Sequence, residues 1–407
     1  MLRERKARSQ RAAVCAVFVL LGLTMATWVA RTPALRDALH ASTEHMGMVL
    51  FGFALGSMLG ILSANALLER WLARHTMAVG MVASALGLGL LVAGAGMAST
   101  VVVVAGFALF GVGMGWTDIA VNVEAGALER LHQRPLMTTL HGCFSLGAML
   151  GALLGSAMAW WQVPVPLHLS GVVVLVLLAL RPLLRHVGNH SAVRTASPEA
   201  SAAAQPGSSA RGGFVLQAFQ DRRVLWIGLF AFGLALTEGA AHDWLPLLMV
   251  DGYGLSDTQG TLIYMLFTFG VMLARLSGTW LLQRFRRLRV MQVSAVLAAC
   301  GLALVVFTQA PALGALAVLL WGLGSALTFP LALSAAAEGE GHSAQRVGAV
   351  ACMGYVSILV GPPALGLLGE VWGLRWAMLP VLVVCLVALA LTGRMRPLPV
   401  RVYEVKP

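Results

Sequence analysis

Residues 1–32 read MLRERKARSQRAAVCAVFVLLGLTMATWVART: five basic side chains, then an apolar run with no charge before Arg31. A helix needs about 20 apolar residues to cross a ~30 Å hydrocarbon core, and this run has that length. It is too long for the apolar part of a signal peptide and shows no small-x-small cleavage site, so it reads as an uncleaved first span. Working outward, eleven more stretches of the same kind follow, near 46–68, 76–97, 101–124, 136–160, 165–181, 224–250, 258–282, 289–308, 312–336, 344–369 and 374–393, with the first at 12–32. The chain is expected to be an all-α integral membrane protein of twelve transmembrane helices with both ends on one side.

The loops orient it, because Lys and Arg are retained on the cytoplasmic side. With the first residues cytoplasmic, 24 of the 28 Lys and Arg lie on that side, Arg31, Arg36 and Arg375 on the other, and Arg275 within a span. The expected setting is a bacterial inner membrane. The net charge of +11 is spread over short loops beside anionic headgroups, so no nucleic acid partner is expected. The composition, 58% hydrophobic with 45 glycines, suits closely packed membrane helices. Cys15, Cys143, Cys300, Cys352 and Cys385 fall in apolar spans without a CxxC spacing and are expected to be small buried side chains.

Between spans 6 and 7, residues 185–213 are rich in Ser, Ala, Pro and Gly and have no apolar period, which marks a flexible linker. The halves on either side repeat. Gly22-Leu23 matches Gly233-Leu234, Gly56 matches Gly270, Phe110-Gly111-Val112-Gly113 matches Trp321-Gly322-Leu323-Gly324, and Gly142 with Ser145 matches Gly354 with Ser357, all at offsets of 211 to 214. Matches in step along the chain indicate two homologous six-helix bundles, 1–184 and 222–407, joined through 185–221. Transporters that rock one half against the other around a midplane site are built this way.

The stretch Gly113-Met114-Gly115-Trp116-Thr117-Asp118-Ile119-Ala120-Val121-Asn122-Val123-Glu124 is followed by Arg134-Pro135-Leu136-Met137 and His141-Gly142-Cys143-Phe144-Ser145-Leu146-Gly147. With these motifs the whole chain resembles the major facilitator superfamily, in its branch of YbjJ-type and MosC-type membrane proteins. Glu238-Gly239-Ala240-Ala241-His242-Asp243-Trp244 supports the same branch. The resemblance implies the major facilitator fold and a transporter of small solutes. The chain departs from the family pattern at the latch between spans 2 and 3, where Asn65-Ala66-Leu67-Leu68-Glu69-Arg70-Trp71-Leu72-Ala73-Arg74 keeps an acid-arginine pair but loses the glycines. Glu69, Arg70 and Arg74 are therefore candidates for gating. Span 5 carries the small-residue ladder Gly147, Gly151, Gly155 but no Gly-Pro pair of the antiporter type, which counts against drug/proton antiport.

Ionisable side chains within a span cost roughly 2.5–3.5 kcal/mol each on insertion scales, so those retained usually face a cavity, a partner or a pathway. Asp118 and Asn122 share a face of span 4, with Trp116 near; they either meet a solute or lock two helices together toward the cytoplasmic end, where Glu124 is also expected. His141 and Ser145 share a face of span 5, where the imidazole is either a binding and proton-relay group or a packing residue. In span 7, Glu238 and His242 share a face, and Glu238 lies roughly 21 Å along the helix, close to the midplane. It is the leading proton-coupling carboxylate, with Asp118 second. Asp243 beside them, and Trp28 and Arg31 at the end of span 1, are binding candidates that could equally be interface groups. Tyr264 in span 8 and Tyr355 in span 11 are expected to line the cavity, and Arg275 to serve a gate by pairing with Asp118, Glu338 or Glu340.

Nothing resembles a nucleotide loop, a zinc-ligand cluster or a nucleophile elbow, so no cofactor, metal or enzymatic activity is expected. The expected function is proton-coupled uptake of a small polar solute of sugar, polyol or amine type by a monomer in the lipid bilayer. Export of a metabolite or drug, and a non-transporting membrane sensor, are the alternatives.

Overall fold

Each apolar stretch becomes a helix because its backbone groups can be satisfied nowhere else in lipid. The computed structural model describes residues 2–132, 136–188, 218, 220–338 and 342–395; most of the expected linker falls outside them. The helices are α1 (Leu2–Val29), α2 (Thr32–Leu39), α3 (Thr43–Arg70), α4 (Ala73–Gly96), α5 (Thr100–His132), α6 (Met137–Trp160), α7 (Val165–His186), α8 (Arg222–Tyr253), α9 (Asp257–Arg284), α10 (Arg287–Phe307), α11 (Pro311–Ser325), α12 (Thr328–Ala336), α13 (Ser343–Trp372) and α14 (Leu374–Leu391). Twelve segments of the described chain are long and apolar enough to cross a membrane, with α11 and α12 together making one of them. The short α2 lies between the first two spans. We call the side on which α1 begins the terminal face and the other the distal face.

The internal repeat is visible in how the helices start and stop. Ser42 caps α3 by accepting from the His45 N–H, and Ser256 caps α9 by accepting from the Gln259 N–H, completed by Gln259 into a capping box. Both helices are 28 residues long and both end on an extended residue, Trp71 and Phe285. Helix pairing repeats too: α1 with α6, α3 with α5, α4 with α5 and α4 with α7 in the first half correspond to α8 with α13, α9 with α11, α10 with α11 and α10 with α14 in the second. The halves meet through α3 against α13 and α6 against α9. The result is two pseudo-symmetric six-helix bundles.

The glycine ladder of span 5 explains one of these pairings. A Cβ on Gly147 would lie 2.0 Å from the Val19 carbonyl oxygen, and one on Gly151 2.4 Å from that of Leu23, so α1 can rest on α6 only because both positions lack side chains. Inside each half an aromatic wedge fills the space between the first, second and fourth spans. Trp28 packs edge-on against Phe107 (4.7 Å) and beside Phe53 (5.4 Å), and Phe53 packs on Phe110 (5.6 Å). In the second half Phe267 and Trp321 are the repeat partners of Phe53 and Phe110, and His242 takes the place against Phe267, with His242 5.4 Å from Phe267 and Phe267 5.8 Å from Trp321.

Three expectations change. Span 10 is broken, with α11 ending at Ser325 and α12 starting at Thr328. Span 4 is longer than expected, since α5 continues to His132, so Asp118 lies about 21 Å short of its end at ~1.5 Å per residue, well inside the helix. Of the cysteines, Cys300 and Cys352 are exposed rather than buried; a thiol is apolar enough to sit at the surface of a membrane bundle as readily as in its core.

The charged ends are tied within each half. Glu338 bridges Arg223 (2.6 Å) and Arg287 (2.5 Å) on the terminal face of the second half. In the first, Glu129 accepts from the backbone N–H groups of Leu136 (2.8 Å) and Met137 (2.9 Å), placing a carboxylate on the open N-terminus of α6.

Candidate functional site

The distal face is closed by contacts between the halves. Arg36 of α2 pairs with Asp251 of α8, and the Glu44 N–H donates to Glu370 (3.2 Å). Burial alone would lower the Arg36 pKa, but its hydrogen bonds to Asp251 and Asp37 raise it overall. Gly47 on α3 and Gly366 on α13 let those helices touch: a Cβ on Gly366 would lie 2.8 Å from the Gly47 Cα. Thr261 of α9 donates to the Ala30 carbonyl (3.1 Å). On the terminal face Glu69 and Arg70 are exposed and Arg74 is half-buried, and none of the three forms an ion pair among the described residues.

Between these faces α5, α6, α8, α9 and α13 bring polar side chains together. The Arg275 Nη2 donates to Glu238 Oε1 at 2.9 Å, and its Nη1 donates to the Ser145 Oγ at 3.2 Å. One guanidinium thus holds the second half's carboxylate and the first half's hydroxyl together. Ser145 donates in turn to the His141 carbonyl (3.2 Å). One turn along α8, His242 Nε2 lies 3.9 Å from Glu238 Oε1, while its Nδ1 shares a 2.9 Å hydrogen bond with the Tyr264 hydroxyl. On α5 the Asn122 amide donates to the Asp118 carbonyl (2.9 Å) and to its carboxylate (3.1 Å). Tyr355 of α13 lies within electrostatic reach of Asp118 from the other half.

His141 is exposed, and Asp118, Asn122, Glu238, His242, Arg275 and Tyr355 are half-buried. Lipid would not accept such groups, so their accessible surface faces the space between the halves. Trp116, two residues before Asp118 on α5, turns to α3, its indole N–H donating to Ser63 at 2.8 Å. Ser63 carries no signal in the sequence beyond being a serine in an apolar span.

Other expected site residues stand apart. Trp28 is buried in the first half's aromatic wedge and does not reach the polar patch. Arg31 is buried at the distal end and donates to the Val163 carbonyl at 2.6 Å. Tyr264 is 0% exposed and supports His242 from behind. Asp243 is also buried, with no hydrogen bond or ion pair among the described residues. Glu124, expected near the headgroups, is fully buried. Arg275 pairs with neither Asp118, which is held by Asn122, nor Glu338, which is held by Arg223 and Arg287; the third expected acid, Glu340, lies outside the described residues.

Two bundles of six helices around a polar patch at their interface define a membrane transport fold, and the comparisons give it a family. The family model of the Major Facilitator Superfamily matches residues 12–341, and the chain belongs to that superfamily. It is 30% identical over 366 residues to a protein of Sinorhizobium fredii described as an uncharacterized transporter, y4wD, covering 89% of this chain and 92% of the relative. It is 26% identical to the membrane protein MosC of Rhizobium meliloti, covering 91% of this chain and 86% of MosC, in line with the branch read from the sequence. The crystal structure of the nucleoside transporter NupG shares the fold, with a TM-score of 0.72 at 14% identity over 96% of this chain and 98% of that one.

Proposed function

We propose that this protein is a proton-coupled secondary transporter that takes up a small polar solute across the bacterial inner membrane as a monomer, by alternating access. In this reading 1–184 and 222–407 are the moving halves, 185–221 is the linker, and the terminal face is cytoplasmic. The observation that carries it is the link from Glu238 through Arg275 to Ser145, which ties a titratable carboxylate to the opposite half. Protonation of Glu238 would remove the charge that holds Arg275. The guanidinium would then be free to move to a solute and loosen its hold on Ser145, joining proton entry to the motion of the halves. Asp118, which has Asn122 but no cation beside it, is the second carboxylate able to take a proton or bind a solute amine. His141, Asn122, Tyr355 and His242 would supply hydrogen bonds to hydroxyl groups, and Trp116 an apolar face. Glu69, Arg70 and Arg74 would close the cytoplasmic side when the distal side opens.

A thermal-shift screen of the purified protein against sugars, polyols, amines and nucleosides tests the binding part. A ligand at a hundred times its Kd adds about 2.7 kcal/mol to the folded state, enough for a clear rise in Tm. The shift should vanish in Asp118→Asn with Asn122→Ala; a shift that survives places the solute elsewhere. Orientation has its own test. A cysteine at Ser201 should react with an impermeant maleimide in inverted vesicles and not in intact cells, and the reverse pattern would invert the topology.

A further inference from the structure

Near the terminal face of the second half, α9 and α10 pack on α11 rather than on each other. The break between α11 and α12 sets Leu327 against Gly278 of α9, where a Cβ would lie 3.0 Å from the leucine Cδ2. These features leave a crevice of about 440 Å³, walled by Ala274 and Leu281 of α9, Val290 and Leu297 of α10, and Leu323 and Leu327 at the break. Its volume is many times the ~30 Å³ share of one water. Most of its wall is apolar; its polar groups are Ser277, which donates to the Leu273 carbonyl (2.8 Å), Gln292, which donates to Thr392 (3.3 Å), Ser294 and Arg289. The rim is apolar and open, with Phe285 43% and Val293 59% exposed, and Trp280 edge-on to Phe285. Such a rim on the outside of a membrane bundle faces lipid.

The mouth is strongly basic. Arg284, Arg286, Arg287 and Arg289 crowd the turn between α9 and α10, Arg289 lies on the crevice itself, and Arg287 is held by Glu338. The other three have no ion pair among the described residues. An apolar slot opening toward lipid, beneath unpaired guanidinium groups at the helix ends where headgroups lie, has the chemistry of an acidic amphiphile.

We propose that this crevice binds one anionic phospholipid, with an acyl chain between α9 and α10 and its phosphate on Arg289 and Arg286. Ala274 on its wall precedes Arg275, so the lipid braces the helix that carries the guanidinium of the central patch. The assignment does not depend on the transport reading.

Native mass spectrometry of the full chain in detergent, titrated with phosphatidylglycerol and with phosphatidylcholine of the same acyl chains, tests it. One phosphatidylglycerol should be retained at least about 10-fold more tightly than phosphatidylcholine, a difference of about 1.4 kcal/mol. Arg286→Gln with Arg289→Gln, two positions whose side chains take no part in the helix packing, should erase that preference. Leu297→Trp, which fills the slot and keeps the charges, should lower retention of both lipids. Equal retention of the two by the wild type, or a preference that survives both variants, would overturn the proposal. Oleate binding as tightly as phosphatidylglycerol would overturn it as well, by making the occupant a free fatty acid.

Discussion

Glu238→Gln is expected to leave solute exchange intact and to abolish accumulation driven by a proton gradient. Glutamine is neutral, as the protonated carboxyl is, and still offers an oxygen to Arg275, so it stands in for the proton-loaded state in which the guanidinium is free to meet solute. It cannot gain or lose a proton, so the chemical step that would drive the cycle is gone. Exchange carries no net proton and should continue near the wild-type rate. A one-unit pH difference supports about tenfold accumulation for one proton per solute, since one unit corresponds to about 1.36 kcal/mol. In reconstituted vesicles the accumulation ratio should fall from that value to unity. If the variant still concentrates solute, Glu238 is a structural partner of Arg275, and Asp118 becomes the coupling acid. Glu238→Ala is the informative contrast. It leaves a half-buried guanidinium without its counter-charge, and for a fully buried pair such a loss costs about 3–5 kcal/mol. A drop in Tm should accompany its loss of activity.

The second large effect is mechanical. Where α3 crosses α13 on the distal side, the Gly366 Cβ position is 2.8 Å from the Gly47 Cα, 3.1 Å from the Thr43 oxygen and 3.2 Å from the Gly47 nitrogen. All three are backbone atoms and cannot rotate away. Gly366→Leu should therefore prevent the distal ends from meeting. Overpacking of this kind costs about 1–3 kcal/mol, which moves an equilibrium between open and closed distal faces by about 5- to 150-fold. Thr261→Cys, a buried reporter in another distal contact between the halves, that of α9 with Ala30, should react with an impermeant maleimide from the distal side far faster in the Gly366→Leu background if the distal face opens as one. Net transport should be lost while solute binding remains. Normal transport with unchanged labelling would mean that α3 and α13 separate little in the cycle.

The spans, the repeat and the superfamily could be read from residues in order, because hydropathy and offset are local or periodic properties. The candidate site was legible only in part. Asp118 with Asn122, and Glu238 with His242, were recognisable as pairs because four residues on a helix return to one face. The partner of Glu238 was not. Arg275 comes from another helix, and the sequence pointed it to Asp118, Glu338 or Glu340; only the crossing of α8 and α9 brings it to Glu238. Trp28 failed for a related reason: the spanning part of α1 is apolar all round, so its sequence does not say which face meets the cleft. The break in span 10 falls at Ala326 and Leu327, and Pro330 marks it, since it has no N–H to bond the Ala326 carbonyl four residues back; the apolar run through it hid that signal.

The aromatic wedges bear on how the protein came to have its chemistry. Two homologous halves sit side by side, and the ring packed on the paired phenylalanine is Trp28 on Phe53 in one and His242 on Phe267 in the other. Four residues earlier the pair is Thr24 and Glu238. The first half has an inert filling there, and the second has groups that titrate. A duplicated scaffold can specialise in this way because the apolar wedge of one half keeps its own helices packed while the other takes on polar groups. Changes of specificity should therefore be sought on α8 and α9 before α1 and α3, since the second copy has already accepted charge at the position its sibling keeps dry.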